Sequence, residues 1–198
     1  MSTLGHASLG LGQTPALLVI DATLGFTDPA SPLACPADAA LQHIEQLLTA
    51  ARARGWPIAF SSNAYATPDE ASVFRAKLPV LNELQAGGRW AEIHPRLTPR
   101  EGELLLRKTV PSAFFDTPLR AWLAKRRVDS ALLCGISTSG CVRASAVDAL
   151  QCNLRVVVAG DACADRDALA HDYNLRDLGL KTGDVLPTAT LLTWMNSP

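Results

Sequence analysis

The sequence predicts a doubly wound α/β fold, a mostly parallel sheet of about six strands flanked by helices. Apolar runs of four to six residues recur along the chain, each followed by polar or glycine punctuation and then by a stretch of helical spacing. The runs are apolar almost throughout, as strands buried on both faces of a parallel sheet must be. Alternating strands and helices of this kind assemble through right-handed crossovers into a layered α/β domain.

In chain order, residues 1–14 read as an N-terminal arm, and Ala16 to Asp21 (ALLVID) as the first strand. Asp38 to Arg54 places apolar residues at 41, 44, 47, 48 and 51, one face of a helix. Pro57 to Ser62 (PIAFSS) is the second strand. Residues 63–102 hold Pro68, Pro79, Gly87, Gly88, Pro95 and Pro99, which break regular structure. A broken helix and long loops over the sheet edge are expected there. Glu103 to Lys108 (ELLLRK) is the third strand, Thr117 to Arg127 a helix, and Ser130 to Gly135 (SALLCG) the fourth strand. Ser139 to Cys152 keeps helical spacing, Arg155 to Gly160 (RVVVAG) is the fifth strand, and Thr188 to Trp194 a closing helix. Without an internal repeat or a long linker, residues 1–198 are expected to form a single domain.

Composition narrows the function. A chain of 198 residues can bury about 70% of its unfolded surface and needs no covalent staple. Eighteen Lys and Arg against nineteen Asp and Glu, with no basic run, argue against nucleic-acid binding through phosphate contacts. No apolar run approaches the roughly 18 residues of a membrane span. The first 15 residues lack Lys, Arg and a continuous apolar core, so they do not read as a secretory signal, and a cytoplasmic location is expected. Five cysteines, at 35, 134, 141, 152 and 163, are an odd number without C-x-x-C or zinc-finger spacing. The default reading of each is a small buried apolar residue.

Ligands of open α/β sheets bind beyond the carboxyl ends of the strands, so what each strand ends in matters. The first ends in Asp21, the third in Lys108, and the fourth runs through GISTSG to Cys141. Taken singly, Asp21 reads as a turn residue, Lys108 as a lysine reaching water, and Cys141 as a packed helix-start thiol. Taken together, an acid, an amine and a thiol converge on one edge. A carboxylate can take the thiol's proton, an ammonium can stabilise anions, and N–H groups at the strand-to-helix turn could hold an oxyanion. A thiol in the first helical turn is expected to have a lowered pKa. Of the four histidines, His6, His43 and His94 lie away from strand ends, and only His171 is a candidate to line the edge.

The segments ALLVIDATLGFTDP, LLLRKTVPSAFFDTPL and LLCGISTSGCVRASAVDAL together resemble the isochorismatase-like cysteine hydrolases. The likeness runs from about Gly10 to Trp194 and implies their Rossmann-like three-layer sandwich. It implies a catalytic triad at Asp21, Lys108 and Cys141, a non-proline cis peptide between Ile136 and Ser137, and an oxyanion hole formed by the N–H groups of Ser137 and Cys141. The opening segment and GDACADRDALAHDYNL are most similar to the N-carbamoylsarcosine and maleamate amidohydrolase branch. That branch implies carboxylate binding by Thr138 and Arg166, the latter a planar two-pronged donor. Arg166 also reads as a surface residue pairing with Asp165 or Asp167. Phe26 and Trp90 are candidates for pocket walls or for ordinary core.

The resemblance therefore implies a metal-independent amidohydrolase without cofactor, acting on a small carboxylated amide or ureido compound through a thioester and assembling as a homo-oligomer, a dimer or tetramer. A nicotinamidase-like activity is an alternative, although FSSNAYATPDE lacks the histidines that nicotinamidases use for a metal. A non-catalytic binding protein of the same fold is another. Redox sensing by Cys141 with Cys134 or Cys163 is a third, without supporting spacing.

Overall fold

The computed structural model describes residues 5–196. Six strands run through it: β1 Pro15–Ile20, β2 Ile58–Asn63, β3 Leu104–Lys108, β4 Ser130–Ile136, β5 Arg155–Ala164 and β6 Asp184–Leu186. All pair in parallel, in the order β3-β2-β1-β4-β5-β6. The order reverses at β1, where the crevice of a doubly wound sheet opens.

Seven helices cover the sheet: α1 Leu24–Thr27, α2 Asp38–Ala53, α3 Ser72–Lys77, α4 Leu119–Lys125, α5 Arg143–Gln151, α6 Ala168–Lys181 and α7 Thr188–Asn196. Strand alternation sorts the core into two layers. Leu17 and Val19 of β1 face α2 and α7, meeting Leu41, Ile44, Leu48, Leu191 and Met195. Ala16, Leu18 and Ile20 face the other way, toward Leu119, Leu123, Ala146, Ala149 and Leu178 of α4, α5 and α6. The apolar residues of α2 that recur at helical spacing are its buried face.

Several boundaries differ from the sequence expectation for identifiable reasons. The helix expected from Thr117 starts at Leu119, after Pro118, and that expected from Ser139 opens as a π turn over Thr138–Val142 before continuing as α5. β5 continues four residues past Gly160, because Asp161 is not punctuation but an internal cap: its Oδ1 accepts the Thr188 N–H at 2.8 Å and hydroxyl at 2.7 Å. That bond pair anchors the start of α7. α6 escaped notice because it buries only Leu178 and so carries no apolar stripe. Its start signal is Asp167, whose Oδ1 accepts the Leu169 N–H at 2.9 Å. Within residues 63–102 the chain forms α3 and three short 3₁₀ turns, two of them opened by Pro79 and Pro95.

The N-terminal arm is tied to the amino edge of the sheet. Asp184 accepts the N–H groups of Leu9 and Gly10, and Asp129 those of Gln13 and Thr14. Residues 1–4 of that arm lie outside the described residues. No described helix is long and apolar enough to cross a membrane.

Candidate active site

At the carboxyl edge the chain leaves β1 abruptly. The strand ends at Ile20, and Asp21 adopts φ 46°, a left-handed conformation that an L-residue holds only when its surroundings enforce it. Ser61 of β2 supplies much of that enforcement. Its carbonyl and hydroxyl oxygens both lie 3.2 Å from the Asp21 nitrogen, and its hydroxyl donates to Asp21 Oδ1 at 2.7 Å. On the other flank Gly135 has φ 122° beside Ile20, and a Cβ there would sit 2.0 Å from the Ile20 carbonyl oxygen. Only glycine permits that close approach.

Lys108, the last residue of β3, has its side chain fully buried, and so has Asp21. Its Nζ lies 2.6 Å from Asp21 Oδ2 and donates to the Val110 carbonyl at 3.1 Å and to Cys141 Sγ at 3.4 Å. An ammonium has three protons, and here it meets three acceptors. Burial works against the charge, but Asp21 and Cys141 outweigh it and hold the lysine pKa above its ordinary value.

Cys141 is 9% exposed and sits in a single π-helical turn, Thr138–Val142, ahead of α5. The expected lowered thiol pKa is therefore corrected. Burial pushes it up to about 12, with Lys108 pulling it down and Asp21 pushing it further up. The thiol lies in the opening turn of a helical segment that continues as α5, and there the cost of burial dominates. At rest the group is a thiol, held between a carboxylate that can take its proton and an ammonium that can steady the resulting thiolate.

The turn around Cys141 is closely tied. The Ile136–Ser137 peptide is cis. The Ser137 carbonyl accepts the N–H groups of Gly140 and Val142 at 3.1 Å each, and Asp165 Oδ2 accepts the Ser139 N–H at 2.7 Å. Thr138 is buried; its hydroxyl donates to the Ala164 carbonyl at 3.2 Å and lies 2.8 Å from His171 Nδ1. His171 thus reaches the site edge through Thr138.

The remaining candidates, Arg166, Phe26 and Trp90, lie together on the α2 side of the sheet edge or against its core. The Arg166 guanidinium bonds to the Leu33 carbonyl and lies 5.6 Å from the centre of the Phe26 ring. It makes no ion pair with Asp165 or Asp167; Asp165 Oδ1 accepts the Arg166 backbone N–H at 2.8 Å instead. Phe26 belongs to the buried core, and Trp90, half-buried against the same core, stacks under Arg89. Cys134 packs in the α2 and α7 layer, across the sheet from Cys141, so a redox pair of these two is geometrically barred; all five cysteines are unbridged. Among the described residues no group of three or more His, Cys, Asp or Glu side chains is placed to hold a metal ion. A cavity of about 440 Å³, lined by Gly10, Gln13, Arg54, Trp56 and Trp194, opens at the amino edge, the opposite end of the strands from Asp21, Lys108 and Cys141. Ser61, Asn63 and Tyr65, at and beyond the end of β2, are near these three residues and were not singled out from the sequence.

A six-stranded parallel sheet with acid, amine and thiol gathered at its switch point is a candidate enzyme site on a doubly wound fold, and comparison with known proteins gives the family. The isochorismatase domain matches residues 15–190, and the chain belongs to the isochorismatase family of hydrolases. It is 39% identical to maleamate amidohydrolase of Pseudomonas putida over 181 residues, covering 90% of this chain and 85% of that one. It is 30% identical to N-carbamoylsarcosine amidase of an Arthrobacter species, covering 96% of this chain and 74% of that one. Among solved structures, an isochorismatase family protein from Desulfovibrio vulgaris superposes with a TM-score of 0.82 at 31% identity, over 94% of this chain and all of that chain. N-carbamoylsarcosine amidase from Thermoplasma acidophilum does so with a TM-score of 0.74 at 28% identity, over 88% and 96%.

Proposed function

We propose that this chain is a metal-independent cysteine amidohydrolase that cleaves a linear amide or ureido C–N bond in a small carboxylated molecule, releasing ammonia. The single observation that carries the reading is the buried Lys108 ammonium bonded at once to Asp21 and to Cys141. Such a contact gives a protonated thiol both a base and a counter-charge without any metal.

In this mechanism Asp21 takes the Cys141 proton as Sγ bonds to the amide carbonyl carbon. The carbonyl π electrons move to oxygen, where the N–H groups of Ser137 and Cys141 receive the negative charge. When the intermediate collapses, the C–N bond breaks, Asp21 returns the proton to nitrogen, and ammonia departs. Asp21 then takes a proton from water, whose oxygen attacks the thioester, and the C–S bond breaks to give the carboxylic acid. The proton on Asp21 returns to sulfur, while Lys108 stays charged throughout.

Thr138 and Arg166 are the proposed carboxylate-binding groups, with Phe26 and Trp90 as apolar neighbours. Arg166 now bonds only a backbone carbonyl, so its guanidinium can exchange that neutral acceptor for a charged one. The resemblance of whole-chain sequence to maleamate amidohydrolase and N-carbamoylsarcosine amidase supports that substrate class. Exposed Leu169 and Tyr173 on α6 support association of copies as a dimer or tetramer. The test is ammonia release from maleamate, N-carbamoylsarcosine, N-carbamoylglycine, ureidoacrylate, biuret and nicotinamide, with and without EDTA. Turnover of a carboxylated amide that EDTA leaves unchanged is the expected result. Silence with every carboxylated amide, or turnover that EDTA abolishes, overturns the proposal.

A further inference from the structure

The geometry points to Asn63 as the residue that recognises the leaving nitrogen, its Oδ1 accepting an N–H of the scissile amide as ammonia departs. The inference rests on the amidohydrolase reading and adds a substrate contact to it.

Asn63 closes β2 and is 1% exposed. In the ladder it pairs with Lys108, and paired residues of neighbouring strands project to the same face. Two residues earlier on that same face stands Ser61, whose hydroxyl holds Asp21 Oδ1. Asn63 therefore stands on the same face of the sheet as Ser61 and Lys108, the two side chains that hold the Asp21 carboxylate. Its Nδ2 donates to the Tyr65 hydroxyl at 3.3 Å, which fixes the carboxamide, and its Oδ1 is buried with no partner. Tyr65 is itself 1% exposed, and its hydroxyl feels the charges of Lys108 and Cys141.

A buried carbonyl oxygen without a donor is costly, and native interiors rarely keep one without a reason. Among the described residues no side chain or backbone group supplies that donor, and a molecule entering the site can. The substrate's carboxylate and carbonyl offer only acceptors, which Oδ1 would repel. The N–H groups of the scissile amide are the donors that match, and those that remain on ammonia match as well. An amide-specific acceptor also gives selectivity, because a buried group built to bond an N–H is left unpaired by a substrate that lacks one.

The test compares maleamate with monomethyl maleate, whose leaving oxygen carries no N–H, in the wild type, Asn63→Leu and Tyr65→Phe. The ratio kcat/KM reports acylation, the step in which the leaving group differs. Asn63→Leu is expected to lower kcat/KM for the amide about tenfold or more while changing the ester less than about threefold. Tyr65→Phe frees the carboxamide and is expected to shift the amide-to-ester ratio in the same direction, by less. Equal losses on both substrates would show a merely structural role, and an unchanged amide rate would remove the contact; either overturns the inference. If Asn63→Leu fails to fold, an unchanged ratio in Tyr65→Phe overturns it alone. If maleamate is not turned over, the pair is replaced by the panel amide that is and its methyl ester; a wild type silent with every carboxylated amide breaks the amidohydrolase reading instead, so the two failures are distinguishable.

Discussion

A buried lysine that touches both a carboxylate and a thiol serves stability and chemistry together. Removing it leaves Asp21 buried without its counter-charge, so Lys108→Met should cost about 3 kcal/mol or more in urea unfolding. The same change should abolish turnover, whereas a fully stable and active variant would contradict the ion pair's role. The thiol makes a sharper statement. With its pKa pushed up to about 12, Cys141 should react with iodoacetamide more slowly at pH 7 than an ordinary thiol, its rate climbing only beyond pH 9. Rapid alkylation below pH 8 would show a standing thiolate and a different division of labour with Asp21. For Arg166, conversion to Met is expected to raise KM about tenfold with kcat little changed, since a carboxylate held far from the reacting bond contributes uniform binding. Asp21, Lys108 and Cys141 were legible in the sequence because charge or sulfur at the end of an apolar run is conspicuous. Asn63 and Tyr65 were not, because a neutral polar residue after a strand looks like ordinary loop punctuation. What marks Asn63 is its place in register with Lys108 together with a buried, unpartnered Oδ1, neither of which a sequence pattern carries.

The elements place these groups through the ends of β1, β2, β3 and β4. β1 and β4 pair over their whole shared length, and Gly135 lets them come together where Asp21 must turn. Gly135→Ala would push a methyl into the Ile20 carbonyl from a backbone conformation that alanine resists. It should destabilise the protein by at least about 2 kcal/mol and displace Asp21, lowering kcat as well as the melting temperature. An alanine variant of wild-type stability would contradict the packing described. β1, β2, β4, β5 and α2 were readable because burial on both faces, or on one helical face, writes itself as an apolar pattern, and β3, an edge strand with Leu105 and Arg107 exposed, because its three leucines run together. α6 was not, because its exposed Leu169 and Tyr173 alternate with polar residues and Leu178 alone is buried. β6, three half-buried residues, is too short for any pattern to accumulate.

Across the whole molecule, buried thiols link chemistry to alkaline stability. Cys35 titrates near 11 and Cys141 and Cys163 near 12, each raised from 9.0 chiefly by burial. The folded state therefore holds more protons than the unfolded chain above pH 9. Stability from these groups is fully present below that pH and is lost as pH rises toward 11 to 12. The melting temperature should fall steadily from pH 9 upward, and replacing Cys163 by Ala should flatten the slope; a flat profile to pH 11 would contradict the assignment. The fold class was legible at this scale because the alternation of strands and helices is global. The account as a whole turns on one sulfur atom. Its most direct test is ammonia release by Cys141→Ala under conditions where the wild type turns over maleamate or N-carbamoylsarcosine. Folded but inactive protein is the predicted result, and hydrolysis at the wild-type rate would contradict the thioester mechanism.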